Sequence, residues 1–399
     1  MIFVNPIARS NTDIPNLAVG YAATMLAAER IVDYNTMPEP ADRVYEKETD
    51  VLGISFQSRS LSHAEEIREK YQAKFPNSRI RSITTALDVQ CCYPFLAWPE
   101  TLIVDTPFSD AYPFPNYELF DSFPVFQKHW SSGEWHYPLM TSMGCPFSCS
   151  YCQSRNRKWY PRSPQSCVDE IKQARERWHI RSFAVMDDCF NLKKDRTIEF
   201  CRKVKDLGIE WYCTNGLRAD RMDEELAREM AASGCTTVGF GIESADPAVL
   251  KAISKGESIE QIEAAIGIAK KHFASISGYF IIGLPGSSYE ADMRSIKWGL
   301  EQGIYMSFSF YVPFEGTTQN DRIFYGDTAR PAGNVYPAEL QQKVYDFTRG
   351  LSWGGVNRSI PRVIGNRYAI LGKFGPRLFA KYCLLDIRKA ANKIRRIML

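Results

Sequence analysis

From Tyr137 to Tyr311 the chain alternates short apolar runs with longer amphipathic ones, and no other feature restricts its fold as much. Strands are expected before Cys145 and at Ser182–Met186, Ile209–Cys213, Thr236–Phe240, Ser275–Ile282 and Met306–Tyr311. Between them the period becomes helical: Ile259, Ile262, Ile266 and Ala269 share one face, as do Met222, Leu226 and Met230. Gly208 and Gly234 stand where helices would end. Strands alternating with helices of this length pack as a parallel sheet with crossover helices, an α/β fold. Six such units are too few to complete an eight-stranded barrel.

The first strand runs into TSMGCPFSCSYCQ, residues 141–153, which sets Cys145, Cys149 and Cys152 in a C-x3-C-x2-C spacing. Gly144 and Pro146 break the strand into a loop, and three thiolates this close converge on one metal centre only if the loop wraps around it. A structural zinc takes four ligands, usually in paired C-x2-C or C…H sets. No second Cys pair or nearby His supplies the rest, and Cys167 lies beyond the next expected helix start. Iron–sulfur clusters normally use four thiolates, so three leave one iron open. The chain has eleven cysteines and no basic, apolar leader in MIFVNPIARSNTD, so they are expected as reduced thiols. Outside the loop, Cys91, Cys92, Cys167, Cys189, Cys201, Cys213, Cys235 and Cys383 are expected as small buried hydrophobes.

In parallel α/β sheets, ligands gather at the carboxyl ends of the strands. Here those ends read Met186-Asp187-Asp188-Cys189, Thr214-Asn215-Gly216-Leu217-Arg218, Gly241-Ile242-Glu243-Ser244, Gly283-Leu284-Pro285-Gly286 and Pro313-Phe314-Glu315-Gly316-Thr317. Each turns polar or glycine-rich where the apolar run stops, which suggests a ring of ligand-facing groups. For any one carboxylate, a helix N-cap at the strand-to-helix turn explains it as well. Arg218 can grip a substrate carboxylate or phosphate with two parallel hydrogen bonds, or form a structural salt bridge.

The cysteine spacing with Tyr151 before the third Cys, together with MDDCF, GFGIESADPAVLKAISKG and GYFIIGLPGSSYEAD, resembles the radical S-adenosylmethionine (radical SAM) superfamily. Within it the segments are similar to the subgroup coupled to a cobalamin-binding domain, over about residues 137–320. The resemblance implies an open, partial (β/α)6 barrel in which Cys145, Cys149 and Cys152 hold a 4Fe–4S cluster and SAM chelates the fourth iron. It implies Tyr151 near the adenine, Glu243 and Ser244 near the ribose or amine, and Gly283 and Gly286 admitting backbone to the nucleoside. Asp187 would lie near the amino group of SAM or the substrate, with Asp188 and Arg218 as catalytic candidates. The implied reaction is reductive cleavage of SAM and hydrogen abstraction from a small-molecule or lipid-like substrate. C-methylation would follow with cobalamin, and rearrangement, cyclisation or oxidation without it. The implied electron source is a low-potential donor such as flavodoxin or ferredoxin. A non-catalytic iron–sulfur redox or scaffold protein is the alternative of another class.

Residues 1–110 alternate too: a strand at Ile2–Val4, a helix at Leu17–Glu29, strands near 50–55 and Thr101–Val104, and a helix at Ser62–Lys74. They form a small doubly wound α/β unit that resembles a degenerate cobalamin-binding domain. It has no D-x-H-x-x-G, and its one histidine, His63, falls inside a helix. Cobalamin therefore stays open, against a vestigial cap. Residues 111–136 are an aromatic-rich connector expected to pack across the mouth of the 137–320 core. In the 321–399 extension, Leu384, Ile387, Ala391, Ile394 and Met398 make one apolar stripe on a basic helix. Such a helix docks on its own protein, on a partner or on an anionic membrane surface. From Lys373 on there are eight Lys/Arg and one Asp, leaving 41 basic and 45 acidic residues in a mildly acidic body. That balance excludes a general nucleic-acid binder, and no run reaches a membrane-spanning length. A cytoplasmic protein, peripheral at most at the inner membrane face, is expected.

Overall fold

The computed structural model describes residues 1–6, 15–55, 61–85, 101–104, 108–152, 154–311, 335–349, 371–380 and 383–384. Two compact units are present: residues 1–145 with 157–188 and 207–211, and residues 146–156 with 189–206 and 212–399. The first unit takes in the connector and the opening of the 137–320 segment.

The first unit is built on β1 (Ile2–Asn5), β2 (Arg30–Asp33), β3 (Val51–Ile54), β4 (Arg79–Thr85) and β5 (Thr101–Val104). Their order is β2-β1-β3-β4-β5 with every pairing parallel. This doubly wound order reverses direction between β1 and β3. Ile2, Val4, Val32, Leu52 and Ile54 pack against Ala64, Ile67 and Tyr71 of helix α2 (Leu61–Lys74). Helix α1 covers Leu17–Met25 and stops short of Glu29. Ala27, at φ +49, turns the chain into β2, a strand hidden in the sequence behind the Ala-rich helix.

The connector forms helix α3 (Phe123–Ser132), and its Tyr112, Tyr117, Phe120, Phe126 and Trp130 are buried within this unit. Tyr117 meets Trp130 at 5.4 Å and Tyr137 and Trp178 at 5.6 Å, all edge-on, an arrangement that adds to their area burial. Beyond it come β6 (Tyr137–Leu139) and the short pair β7 (Ser142–Met143) and β8 (Tyr160–Pro161), which is antiparallel. Helix α4 (Pro164–Trp178) starts on the Ser163 side chain with Pro164 at its first position and ends at His179, in the left-handed region. β9 (Ser182–Val185) then pairs in parallel with β6.

The second unit carries helix α5 (Lys194–Lys205), part of β10 (Glu210–Cys213), α6 (Glu224–Ala232), β11 (Cys235–Glu243), α7 (Pro247–Ala252), α8 (Ile259–His272), β12 (Ser275–Ile282), α9 (Tyr289–Gln302), β13 (Tyr305–Phe310) and α10 (Ala338–Arg349). Side-chain caps at Asp223, Asp246, Ser258 and Ser288 start four of these helices, and Ser258 with Gln261 makes a capping box. The expected faces are the buried ones: Leu226 and Met230 on α6, Ile262, Ile266 and Ala269 on α8. β11 pairs in parallel with β12, and β12 with β13. The open sheet has the order β13-β12-β11-β10-β9-β6, the α/β architecture of a partial (β/α)6 barrel.

Cys167, Cys189, Cys201, Cys213 and Cys235 are buried as expected, and burial pushes the Cys201 thiol up to about 12. Cys91, Cys92 and the stripe from Ile387 to Met398 lie outside the described residues. No helix among the described residues is long and apolar enough to cross a membrane.

One buried ion pair anchors the first unit. Arg162 and Glu170 are each 1% exposed and hydrogen-bonded to one another. Glu170 also accepts from the Tyr137 hydroxyl at 2.8 Å, and Arg162 donates to the Met140 carbonyl at 3.1 Å. Removing one partner strands the other charge, so Glu170→Ala should cost about 3–5 kcal/mol of stability. Urea denaturation should show most of that loss recovered in the double variant Arg162→Met, Glu170→Leu, because no lone charge is then buried.

Candidate active site

The cysteine loop is fastened at its entrance by two carboxylates at the end of β9. Asp187, 2% exposed, accepts hydrogen bonds from the Thr141 amide at 2.6 Å, the Thr141 hydroxyl at 2.5 Å and the Ser142 hydroxyl at 2.6 Å. Asp188 accepts from the Gly144 amide at 2.9 Å. Gly144 sits at φ +84, and a Cβ there would lie 2.1 Å from the Lys158 carbonyl oxygen, so no other residue fits. The geometry gives Asp187 and Asp188 the task of shaping the strand and turn that deliver Cys145.

Within the second unit, Cys149 and Cys152 share a turn in which the Cys152 amide donates to the Cys149 carbonyl at 3.0 Å. The Ser150 amide donates to the Ile253 carbonyl at 2.8 Å, and the Cys149 thiol lies 3.8 Å from the Lys255 carbonyl. Cys149 is buried, Cys145 and Cys152 are half-buried, and none of the three is in a disulfide. Among the described residues no three His, Cys, Asp or Glu side chains gather around the position of a single metal ion. A cluster does not require that, since each thiolate binds a different iron. Three cysteine thiols are the kind of donor set that iron–sulfur clusters take.

Beside the second and third cysteines lies a nest of buried charges. Glu243 ends β11 at φ +65, after a register shift between Gly241 and Glu243. The Lys255 ammonium stands 3.1 Å from Glu243 Oε1 and 3.3 Å from Glu257 Oε2. Glu257 Oε1 accepts from the amides of Ala219 at 2.6 Å and Asp220 at 3.1 Å. Burial pulls the Lys255 ammonium down, but the two carboxylates outweigh it and hold it well above its ordinary range. Tyr151 hydrogen-bonds Glu243, and burial followed by the Glu243 charge pushes its phenol far up. Tyr151 and Glu243, paired in the expectation only as separate SAM contacts, are thus in direct touch.

Three other expected site residues are used by the protein itself. Arg218 was a candidate catalytic group; its guanidinium instead pairs with Asp220 at 2.8 Å, donates to the carbonyls of Lys255 and Gly256, and stacks on Phe147 at 3.5 Å. The salt-bridge reading is the one that the contacts support. Ser244, 1% exposed, accepts from the Asp246 amide and contacts Ser295, which shapes the turn into α7. Gly283 and Gly286 admit close approach, but of protein: a Cβ would lie 2.7 Å from Gln341 or 2.9 Å from Ala252. Sequence reasoning missed Lys255, Glu257 and Phe147. The signal was present in Lys255-Gly256-Glu257, where the glycine at φ +69 turns two charged neighbours inward after α7.

Residues 139–298 match the family model of the radical SAM superfamily. An uncharacterized methyltransferase of Pyrococcus horikoshii is 33% identical over 212 residues, 52% of this chain and 45% of that protein. Cytidylyl-2-hydroxyethylphosphonate methyltransferase of Streptomyces wedmorensis is 33% identical over 218 residues, 51% of this chain and 41% of that protein. The chain thus spans less than half the length of these curated relatives. Among solved structures, the radical SAM methyltransferase TsrM of Kitasatospora setae, with cobalamin and a [4Fe-4S] cluster bound, superposes with a TM-score of 0.64 at 13% identity, covering 98% of this chain and 99% of that one. That likeness speaks for the fold. The superfamily works with a 4Fe–4S cluster and SAM. The cysteine loop and four of the strand ends lie inside the 139–298 segment of this chain that is similar to the radical SAM superfamily.

Proposed function

We propose that this protein is a radical SAM methyltransferase acting on a small molecule, with Cys145, Cys149 and Cys152 holding its 4Fe–4S cluster. The observation that carries the reading is the junction of the Cys149 turn with the Lys255–Glu243 pair, which puts thiolates and a recognition nest for a charged cosubstrate side by side. When bound, the cluster supplies one electron to the sulfonium of SAM, giving methionine and a 5′-deoxyadenosyl radical that abstracts hydrogen from a C–H bond. The protein's own part is positioning. Glu243 and Lys255 present an acceptor and a donor to the polar groups of SAM, and Tyr151 fixes the Glu243 carboxylate. Asp188 and Gly144 set the angle at which Cys145 leaves its strand. An electron from a low-potential donor of the flavodoxin or ferredoxin kind completes the requirement.

Methyl transfer is favoured by the names of the two relatives and by the five-stranded unit that precedes the cysteine loop. Its switch point at β1 and β3 is where such sheets bind ligands, and cobalamin would lie there. His63 does not suit a cobalt ligand. Its ring packs edge-on against Tyr34 at 5.0 Å.

Anaerobic reconstitution of the native protein should give a 4Fe–4S cluster and 5′-deoxyadenosine from SAM under dithionite. Replacing Cys145, Cys149 or Cys152 with Ala should abolish both, while Cys383→Ala should abolish neither. Full iron and sulfide in the triple variant would refute the assignment. An intact cluster with no SAM cleavage would instead indicate a redox or scaffold protein.

Lys255→Met and Glu243→Gln should each weaken SAM binding about ten- to a hundredfold, since a hydrogen bond to a charged group is worth roughly 1.5–3 kcal/mol. Equilibrium dialysis against labelled SAM measures this, with iron content as the control for the loop. Unchanged affinity in both variants would return the nest to a purely structural role.

Hydroxocobalamin should be retained stoichiometrically after desalting, read by corrin absorbance, in the native protein and in His63→Ala alike. Retention lost with His63 would overturn the ligand-free arrangement. No retention alongside SAM cleavage would favour rearrangement, cyclisation or oxidation over methyl transfer.

A further inference from the structure

Around the cysteine loop the charge is one-sided. From Trp135 to Val168 the chain holds no Asp or Glu but four Lys/Arg, in a body that is otherwise mildly acidic. Arg162 is consumed by its buried pair with Glu170. The other three, Arg155, Arg157 and Lys158, follow directly on the third cysteine. Lys158 is exposed, and Arg155 and Arg157 are half-buried. Three steps of chain span at most about 11 Å, so these cations form one compact group.

Backbone bonds tie this basic segment to the cysteines. In the second unit the Arg155 amide donates to the Cys152 carbonyl at 3.4 Å, and the Asn156 amide to the Phe147 carbonyl at 2.8 Å. In the first unit the Arg157 amide donates to the Cys145 carbonyl at 2.9 Å. The Lys158 carbonyl fills the space where Gly144 would otherwise carry a Cβ. β8 then holds the segment by pairing Tyr160 with Met143, and the Lys158 ammonium stands 5.1 Å from the centre of the Tyr160 ring. Asp188, the carboxylate bonded to this turn, is directed at the Gly144 amide. The two cysteines so fastened, Cys145 and Cys152, are the half-buried ones, whereas Cys149 is buried against the Lys255 carbonyl. Burial and charge thus divide the three cysteines in the same way.

We propose that Arg155, Arg157 and Lys158 are the docking surface for an acidic one-electron donor protein, seated where the chain is bonded to Cys145 and Cys152. One electron leaves the reduced flavin or iron–sulfur group of the donor and one enters the cluster, and no bond of this chain forms or breaks. The proposal rests on the reading of the protein as a radical SAM enzyme. Encounters between redox proteins use small interfaces, and complementary charge speeds and orients them. A group about 11 Å across suits such an encounter, whereas a nucleic-acid binder carries a longer basic stripe along its working face.

A flavodoxin of net negative charge is the probe. Mixed anaerobically in its fully reduced form with the reconstituted protein, it should bleach the cluster absorbance at a rate that falls steeply with added salt. In the triple variant Arg155→Gln, Arg157→Gln, Lys158→Gln the low-salt rate should fall roughly ten- to a hundredfold and its salt dependence should flatten. Lys128→Gln, at an exposed position of α3, should change neither. Reduced methyl viologen, a small cation that needs no acidic docking face, should reduce the native protein and the triple variant alike. Equal flavodoxin rates in the two proteins overturn the proposal. So does equal slowing with both reductants, because the cluster itself would then have changed. A water-soluble carbodiimide should join Lys158 to a flavodoxin carboxylate in both cluster-free and reconstituted protein, read by peptide mass spectrometry. Cross-links confined to lysines elsewhere on the chain also overturn it. If no cluster forms on reconstitution while the Lys158 cross-link is found, the radical SAM reading fails and the acidic-partner surface stands. Single-stranded RNA that the native protein retains and the triple variant loses, with flavodoxin rates unchanged, would assign the cations to nucleic acid instead.

Discussion

Lys255 carries a full charge in a place where water cannot solvate it, and much of the second unit is arranged around that fact. Removing an ammonium from water costs several kcal/mol unless partners replace its hydration. Glu243 and Glu257 do so from two directions. Glu257 is itself pinned by two backbone amides, and the carbonyls of Lys255 and Gly256 receive the Arg218 guanidinium. Arg218 closes the circle by stacking on Phe147, inside the cysteine loop. Glu243 adopts a left-handed backbone, a conformation costing on the order of 1–2 kcal/mol for a residue with a Cβ. The ion pair offsets that cost and keeps the carboxylate turned inward. Cluster loop, strand end and post-helical turn therefore hold or fail together.

How much of this was legible depended on how local the cause was. The alternation of periods, the C-x3-C-x2-C loop and the glycine-rich strand ends are written within a few residues of each other, and between residues 137 and 311 the strands fell within a few residues of where they were expected, while the expected strand end at 313–317 lies outside the described residues. The roles of polar side chains were not legible in the same way. Asp187 at a strand end looks the same in sequence whether it faces a ligand or, as here, a backbone amide 46 residues earlier. Arg218 likewise meets partners 37 residues away. Lys255 was invisible for the opposite reason, because a lysine after a helix is ordinarily a solvated one. β2 was overlooked because RIVD follows an Ala-rich helix with only one turn between them.

The first unit shows the same economy at the carboxyl edge of β1 and β2. Asp33 accepts from Asn5 and Ser122 at 2.8 Å, and Arg43 joins Asp121 to the Asp33 carbonyl, each bond 2.6 Å. These side chains, all but one of them buried, satisfy one another. That part of the edge is closed by the connector, which leaves the β1–β3 side as the place where a ligand of this sheet would go.

The helix α10 lies well past residue 298, yet it reaches back into the barrel loop. Tyr336, just ahead of it, and the Gly283 amide hydrogen-bond the same oxygen of Asp292, and Gln341 fills the space beside Gly283 that a side chain would otherwise take. Asp292 is mostly buried, and its second oxygen is already occupied by Ser287 at 2.6 Å. A region lying outside the recognisable catalytic domain has thus become part of its folding cooperativity. A truncation that stopped at the end of the family match would remove one tyrosine and one glutamine that this loop is built against, so the smallest piece expected to fold is longer than the sequence match that reveals it.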